Sequence, residues 1–314
     1  MRHTLVIALL FMRAFAFSQE ADAPSDTSYW TTGGVGSITF SQVSLTNWAA
    51  GGENSISLNG YFNVFADYQK DKIVWSNNLE LGYGIIKQGR ESQADKTDDI
   101  IIATTQFGYK IKGDRLFWSS LIDFRTQFYE GVNEEGQRIS DFMAPGYLLV
   151  ASGLDWKPTK TLSITYAPIT GKFTFVSDQE LANEGAFGVD PGVVDQNGNL
   201  VSQGSTSRAE IGSFLKINYK KEDIIKNVNF TSKLELFTNY IEQFGNIDVN
   251  WQNFVVMKIN SFLSVNWQSQ LIYDDDITAT ETNDLGEEIN VGPKVQFKSV
   301  FGVGLTYKFG EQKE

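Results

Sequence analysis

Apolar and polar positions alternate along most of this chain. Residues 295–309, VQFKSVFGVGLTYKF, put Val295, Phe297, Phe301, Val303, Leu305, Tyr307 and Phe309 on one side of an extended segment, with Ser299 the one break. Gln296, Lys298, Val300, Gly302, Gly304, Thr306 and Lys308 fall on the other side. A period of two marks a β-strand with two unlike faces. Comparable segments lie near residues 34–45, 54–69, 73–86, 98–111, 115–129, 146–157, 160–168, 206–219, 227–242, 246–259, 262–274 and 295–309. No stretch holds a helical period over three turns, the nearest being KKEDIIK at 220–226. Residues 172–177 are a further strand candidate.

The connections alternate in length. Those after the second, fourth, sixth, eighth and tenth segments are short: QKDK, KGD, KPTK, KKEDIIK and a turn at Asn260. Those after the third, fifth, seventh and eleventh are long. An outer-membrane barrel sorts its connections this way, with short periplasmic turns and long outer loops. The segments also exceed the roughly 9–11 residues that a tilted strand needs to cross a bilayer. The pattern therefore predicts an all-β fold, a transmembrane antiparallel up-and-down β-barrel of about 12 strands over residues 34–309. The apolar side of each strand then faces lipid and the polar side the lumen.

Aromatic residues fall at two levels on the apolar faces. Tyr68, Trp75, Tyr109, Trp118, Trp156, Tyr219 and Tyr307 lie toward the short-turn end, and Tyr83, Phe128, Tyr166, Tyr240 and Tyr273 toward the other. Amphipathic rings at the two headgroup levels form such girdles. The opposite faces place Glu80, Asp123, Arg125, Arg208, Glu210, Lys233 and Glu235 in the lumen, with Lys216, Asn63, Asn78, Gln127, Asn229 and Asn239. Charges of both signs inside a barrel either meet water or pair across strands. One outcome is a weakly selective pore; the other is a lumen closed by pairs such as Asp123 with Arg125 and Arg208 with Glu210.

Composition supplies the address. The start MRHTLVIALLFMRAFAFSQE has basic residues, an apolar run over 5–17 and small residues at Ala16 and Ser18. This predicts a signal peptide over residues 1–18, followed by a periplasmic segment at 19–33 and, beyond the barrel, a tail at 310–314. The net charge is −12, and −14 once residues 1–18, which carry Arg2, Arg13 and no acid, are removed. Such a surface repels nucleic acid. There is no Cys, and the single His is His3, within the predicted leader. The mature chain thus has no disulfide, thiolate site or imidazole base, and neither a catalytic residue, a cofactor nor a metal centre is expected.

The loops carry their own signals. Asp98, Asp99, Asp274, Asp275 and Asp276, with NEEGQR and NDLGEE, predict an anionic outer rim, whereas Lys70, Lys72, Lys112, Lys157, Lys160, Lys220, Lys221 and Lys226 crowd the short turns. The YDDD run lacks the spacing of a calcium loop. The connection at 169–205 contains a small hairpin with Asn197 and Gly198 at its turn and, before it, an apolar piece. That piece is a plug, a cap over the mouth or a self-packed surface loop. NWAAGGEN, residues 47–54, reads as a tight outer turn, with a ligand-facing role for Asn47 and Trp48 as the sharper alternative.

Several stretches resemble an uncharacterised family of Bacteroidetes outer-membrane β-barrels filed as a domain of unknown function. They are FSQVSLTNWAAGGENS, KTDDIIIATTQFGYK, DFRTQFYEG, DFMAPGYL, APITGKFTFVSDQELANEGAFGV and the late YDDD, spanning about residues 30–309. The resemblance implies a Gram-negative outer membrane and no assigned activity. A last strand closing on Phe309 also resembles the signal read by the barrel-insertion machinery, although GEQKE follows it. The expected partners are outer-membrane lipid, that machinery and a small solute. The expected function is passive passage of small hydrophilic solutes with a weak cation preference; the alternative is a plugged barrel acting as an envelope anchor.

Overall fold

The computed structural model describes residues 29–45, 53–89, 94–133, 136–242, 244–282 and 288–310, with the backbone alone at 278–282 and 288–291. The predicted signal peptide, the NWAAGG stretch with Asn47 and Trp48, the two glutamates of NEEGQR, most of NDLGEE and the end of the tail lie outside the described residues.

Twelve long strands form one closed antiparallel barrel. They are β1 (Trp30–Val43), β2 (Ser55–Lys70), β3 (Ile73–Gln88), β4 (Asp95–Lys112), β5 (Leu116–Thr126) and β6 (Gly146–Trp156). The second half is β7 (Leu162–Phe175), β8 (Ser207–Ile225), β9 (Val228–Asn239), β10 (Asp248–Lys258), β11 (Leu263–Tyr273) and β12 (Gln296–Gly310). Each strand pairs with its neighbour in sequence, and β12 closes on β1 through pairs from Gly33 with Gly310 to Phe40 with Val303.

The apolar sides face outward. Phe297 and Phe301 are 67% and 61% exposed, whereas the inward Asp123 and Glu210 are 4% and 3% exposed. That inverts the arrangement of a soluble domain and is what hydrocarbon as the outer solvent demands. No described helix is long and apolar enough to cross a membrane. The chain is an outer-membrane β-barrel of the Gram-negative type.

Several boundaries differ from those read in the sequence. The first strand begins at Trp30, inside the stretch assigned to the periplasmic segment, and β4 begins at Asp95, so only residues 89–94 separate it from β3. The KKEDIIK piece is no connection: β8 continues through it with a shift of register between Lys221 and Ile225, and the turn itself is at residues 226–227. The largest difference is at Pro168. Proline lacks a ladder N–H and suggests a strand end, yet β7 runs on to Phe175 because Pro168 occupies a bulge. Ser152 pairs with Ile169 but Leu154 with Tyr166 on one side, and Gly212 pairs with Thr170 but Phe214 with Ala167 on the other. The flanking β6 places glycine there, and a Cβ on Gly153 would strike the Tyr166 carbonyl; Gly212 on β8 is needed on its other side, where a Cβ would strike the Thr238 carbonyl of β9.

Not all inward positions are polar. Leu121, Ala151, Ala167, Phe214 and Phe237 form a buried cluster, with Leu149 packed against it. These residues come from five consecutive strands, β5 to β9, so one wall of the lumen is filled by packed side chains.

Candidate functional site

The seven charged residues assigned to the lumen all occupy inward positions, and strand register brings four of them together. Arg125 on β5 donates from Nε to Asp123 Oδ1 and from Nη2 to Glu235 Oε2, at 2.7 Å across the barrel on β9. Lys233 Nζ lies 3.0 Å from Glu235 Oε1, and the Thr104 hydroxyl donates to Asp123 Oδ2 at 2.7 Å. Lys216 stands opposite Glu235 in the β8–β9 register and is itself buried. Glu80 is held separately: Asn78 donates to it at 2.8 Å and the Tyr61 hydroxyl at 3.2 Å. Three acids (Glu80, Asp123, Glu235) thus face three bases (Arg125, Lys216, Lys233), and the group is locally neutral. The rings of Tyr61 on β2 and Phe254 on β10 approach to 6.3 Å across the interior.

A second cluster lies at the outer rim. Lys172 Nζ is 2.7 Å from Asp248, 3.4 Å from Asp274 and 3.6 Å from Glu210. Arg208 reaches Glu242 at 2.7 Å, Asp276 at 2.8 Å and Glu210 at 3.8 Å. Lys298 bonds Asp98 at 3.0 Å. Much of the expected anionic rim is therefore paired, and Asp98 and Asp99 sit within β4, not at its end. The carboxylates of Asp248, Asp274 and Asp275 come within 4.8 Å of one another, but the Lys172 ammonium already sits on two of them.

Between the two clusters is a cavity of about 630 Å³ open toward the outer loops. Its lining holds seven carboxylates (Glu80, Asp98, Asp99, Asp123, Glu235, Asp248, Asp274) and three cations (Arg125, Lys172, Lys298). Ile100, Ile102, Phe214, Phe237 and Ile272 supply apolar wall, and Gln252, Gln268 and Gln270 supply amides.

The loop after β7 frames the mouth. It packs on itself around Val176, Leu181, Ala182 and Val189, with Ala144 from the preceding loop, and lends Phe187 to the cavity. Its helix, Gln179–Asn183, is capped by Asp178, whose carboxylate accepts from the N–H groups of Glu180 and Leu181. Arg138 donates to Asp178 at 2.7 Å. The Arg138 hydrogen bond and, after it, the helix N–H groups hold the Asp178 carboxyl below the usual carboxylate range. The small hairpin expected at Asn197 and Gly198 is present, Val193–Val194 pairing with Leu200–Ser202.

Of the girdle residues, Tyr68, Trp75, Tyr109, Trp118, Trp156, Tyr219 and Tyr307 occupy outward positions toward the short-turn ends of their strands, where Trp30 joins them, its ring 5.2 Å from Tyr68 and 5.7 Å from Trp75. Tyr83 and Tyr273 lie at the other level, and Phe128 and Tyr240 lie just beyond the ends of β5 and β9. Tyr166 does not belong there. It faces outward, but β7 continues nine residues past it to Phe175, because Pro168 does not end the strand. Tyr61, Asp248 and Lys172 are among the site residues that escaped the sequence reading. Tyr61 and Asp248 fall on inward positions that the period of two already marks, whereas Lys172 was hidden by the misplaced end of β7.

Residues 40–132 match the family described as "Protein of unknown function (DUF3078)". No curated protein matches the sequence. Among solved structures, the chain is similar to the COG4313 outer membrane channel from Pseudomonas putida F1, at 12% identity over 92% of this chain and 100% of that one, with a TM-score of 0.40. It is similar to the translocator domain of autotransporter NalP from Neisseria meningitidis, at 8% identity over 98% of each chain, with a TM-score of 0.38. It is also similar to the P. putida toluene transporter TodX, at 8% identity over 92% of each chain, with a TM-score of 0.30.

Proposed function

From a closed outer-membrane barrel whose charged interior opens into an outer cavity, we propose that the protein is a channel for passive passage of small hydrophilic solutes, with a weak preference for cations. The observation that carries this reading is the cavity of about 630 Å³, where above the neutral floor group four lining carboxylates (Asp98, Asp99, Asp248, Asp274) face the lining cations Lys172 and Lys298, with Lys96 bonded to Asp99. Local excess of one charge sign raises the concentration of the opposite ion. Below the cavity the lumen has two unlike sides. The wall from β5 to β9 is packed, whereas Asn63, Asn78 and Asn266 on the remaining strands are only partly buried. Solute would move along that amide-lined side, past Tyr61 and Phe254. The lumen carboxylates act in this reading as fixed charges and not as acid or base catalysts, and β12 is the segment that the insertion machinery would read.

A plugged barrel is the second reading, favoured by the Asp123–Arg125–Glu235 bridge and the apolar cluster beside it. Purified protein in planar bilayers decides between them. Stepwise currents with a cation-selective reversal potential support the channel. A silent membrane over many verified insertions rejects it and leaves the plugged barrel.

A further inference from the structure

The charge of the interior changes sign along the barrel axis. At the outer rim Lys172 is shared by Asp248, Asp274 and Glu210, and Arg208 by Glu210, Glu242 and Asp276, so two cations face five carboxylates. The group around Arg125, deeper in the lumen, is neutral. At the periplasmic opening the balance reverses. A recess of about 530 Å³ lies between the β4–β5 turn, the β6–β7 turn and the end of β8, and Arg115, Lys157, Lys160 and Lys220 line it.

Strand parity puts this recess inside the mouth. Arg115 stands two residues before the inward Phe117, Lys157 two after the inward Asp155, and Lys220 four after the inward Lys216, all three of them buried. Trp156 and Tyr219, one position from Lys157 and Lys220, are outward girdle residues, so the two lysines point away from the lipid headgroups. Backbone bonds fix the frame: the Lys157 N–H donates to the Arg115 carbonyl at 2.7 Å and the Lys220 N–H to the Thr161 carbonyl at 2.9 Å. The cations themselves are unlike those higher in the lumen. Arg125, Lys172, Arg208, Lys233 and Lys298 all sit on carboxylates. In the recess Lys157 does so, 3.4 Å from Asp155, and the lining acid Asp114 is taken by Lys110 at 2.8 Å. Among the described residues Arg115, Lys160 and Lys220 have no acidic partner, and the side-chain amide of Asn218, which lines the same space, makes no hydrogen bond. Convergent cationic and amide donors without acceptors suit an oxyanion with more than one oxygen.

We propose that the passage takes small zwitterionic solutes, the recess receiving their carboxylate end and the outer rim their ammonium end. This rests on the channel reading and names its solute class. An ion of either sign is drawn to one mouth and repelled by the other, which leaves a weak net selectivity. A zwitterion is drawn to both, because it can turn the complementary end to each. Opposite fixed charge at the two ends also makes conduction directional: one sign of voltage drives both ions into the lumen, and the other drains it of both.

Purified full-length protein in planar bilayers and in liposomes tests this. In about 0.1 M salt, where the Debye length is about 10 Å, currents at equal and opposite voltages are expected to differ at least about twofold, and in about 1 M salt, where it is about 3 Å, to converge. After subtraction of protein-free liposomes, swelling is expected to be at least about twofold faster in glycine than in its uncharged isomer glycolamide. A variant carrying Arg115→Gln, Lys160→Gln and Lys220→Gln should lose both effects. One carrying Lys70→Gln, Lys72→Gln and Lys226→Gln, which removes equal charge from turns outside the recess, should keep them. A silent membrane would reject the channel reading and the proposal with it. Conducting channels with equal currents in both directions at low salt, glycine entering no faster than glycolamide, a recess variant that behaves as the wild type, or a control variant that loses as much would overturn the proposal alone.

Discussion

Arg125 offers the sharpest perturbation of the proposed passage. It bridges two carboxylates at the cavity floor, Asp123 and Glu235. Replacing it by Ala turns a locally neutral group into one with an excess negative charge. A unit charge about 5 Å from an ion in water is worth about 0.8 kcal/mol, and screening at physiological salt roughly halves that. Cation occupancy near the floor should then rise about twofold and anion occupancy fall about twofold, so the cation-to-anion permeability ratio moves about fourfold. Stability moves as well: removing one partner of a buried pair costs about 3–5 kcal/mol, and Lys216 and Lys233 on neighbouring strands offset part of it. Reversal potentials in a salt gradient measure the first effect and denaturant unfolding in micelles the second. A double variant with Asp123→Asn added to Arg125→Ala leaves Glu80 and Glu235 against Lys216 and Lys233, and should recover most of the lost stability and bring the selectivity back toward that of the wild type. Conducting Arg125→Ala channels whose reversal potential equals that of the wild type would refute the placement of these charges along the ion path.

Three further outcomes follow from other parts of the barrel. Gly153→Ala and Gly212→Ala should each lower the folded fraction on heat-modifiability gels, by about 1–3 kcal/mol or more from forced overlap with a backbone carbonyl; Gly60→Ala, whose added Cβ would meet nothing closer than 3.8 Å, should be tolerated or stabilise by about 0.5–1 kcal/mol. Lys172→Ala should leave Asp248, Asp274 and Asp275 as an unneutralised group within 4.8 Å, and so create calcium-dependent thermal stabilisation absent from the wild type, read by a melting shift on calcium addition. The Asp178 carboxyl is lowered in the folded protein, so its contribution to holding the mouth loop is present above the usual carboxylate range and is lost as pH falls through its depressed value. Hydrogen exchange of the loop at residues 176–189 should therefore be flat, after correction for intrinsic rates, from pH 7 to pH 5 and accelerate only in stronger acid, and Asp178→Ala should abolish that transition.

The barrel was legible because one physical rule governs every strand. Once the apolar side of residues 295–309 is assigned to lipid, the facing of Asp123, Glu210 and Glu235 follows by parity, and strand number follows from counting segments between turns. Ion pairs two residues apart on one strand, Asp123 with Arg125 and Arg208 with Glu210, were legible for the same reason. The bridge from Arg125 to Glu235 was not, because partners 110 residues apart meet only through the tilt and register of the closed sheet. Lys172 was lost through one residue: a proline that ends most strands here sits in a bulge, accommodated by Gly153 on the neighbouring strand.

The packed wall from β5 to β9 was not legible at all, and the reason bears on how the barrel holds its shape. Parity assigns Leu121, Phe214 and Phe237 to the lumen, but an apolar inward residue in a list of alternating positions looks like a local lapse until its neighbours in space are known. Outward leucines and phenylalanines gain little from contact with one another, since acyl chains are as apolar as they are. Side chains that specify one particular closure must therefore meet inside. The inward cluster and the ionic group next to it do so from adjoining strands, one by packing and the other by paired charge. The bore of this barrel is set by which inward residues are large and which are paired, so twelve strands by themselves fix a circumference and not a passage.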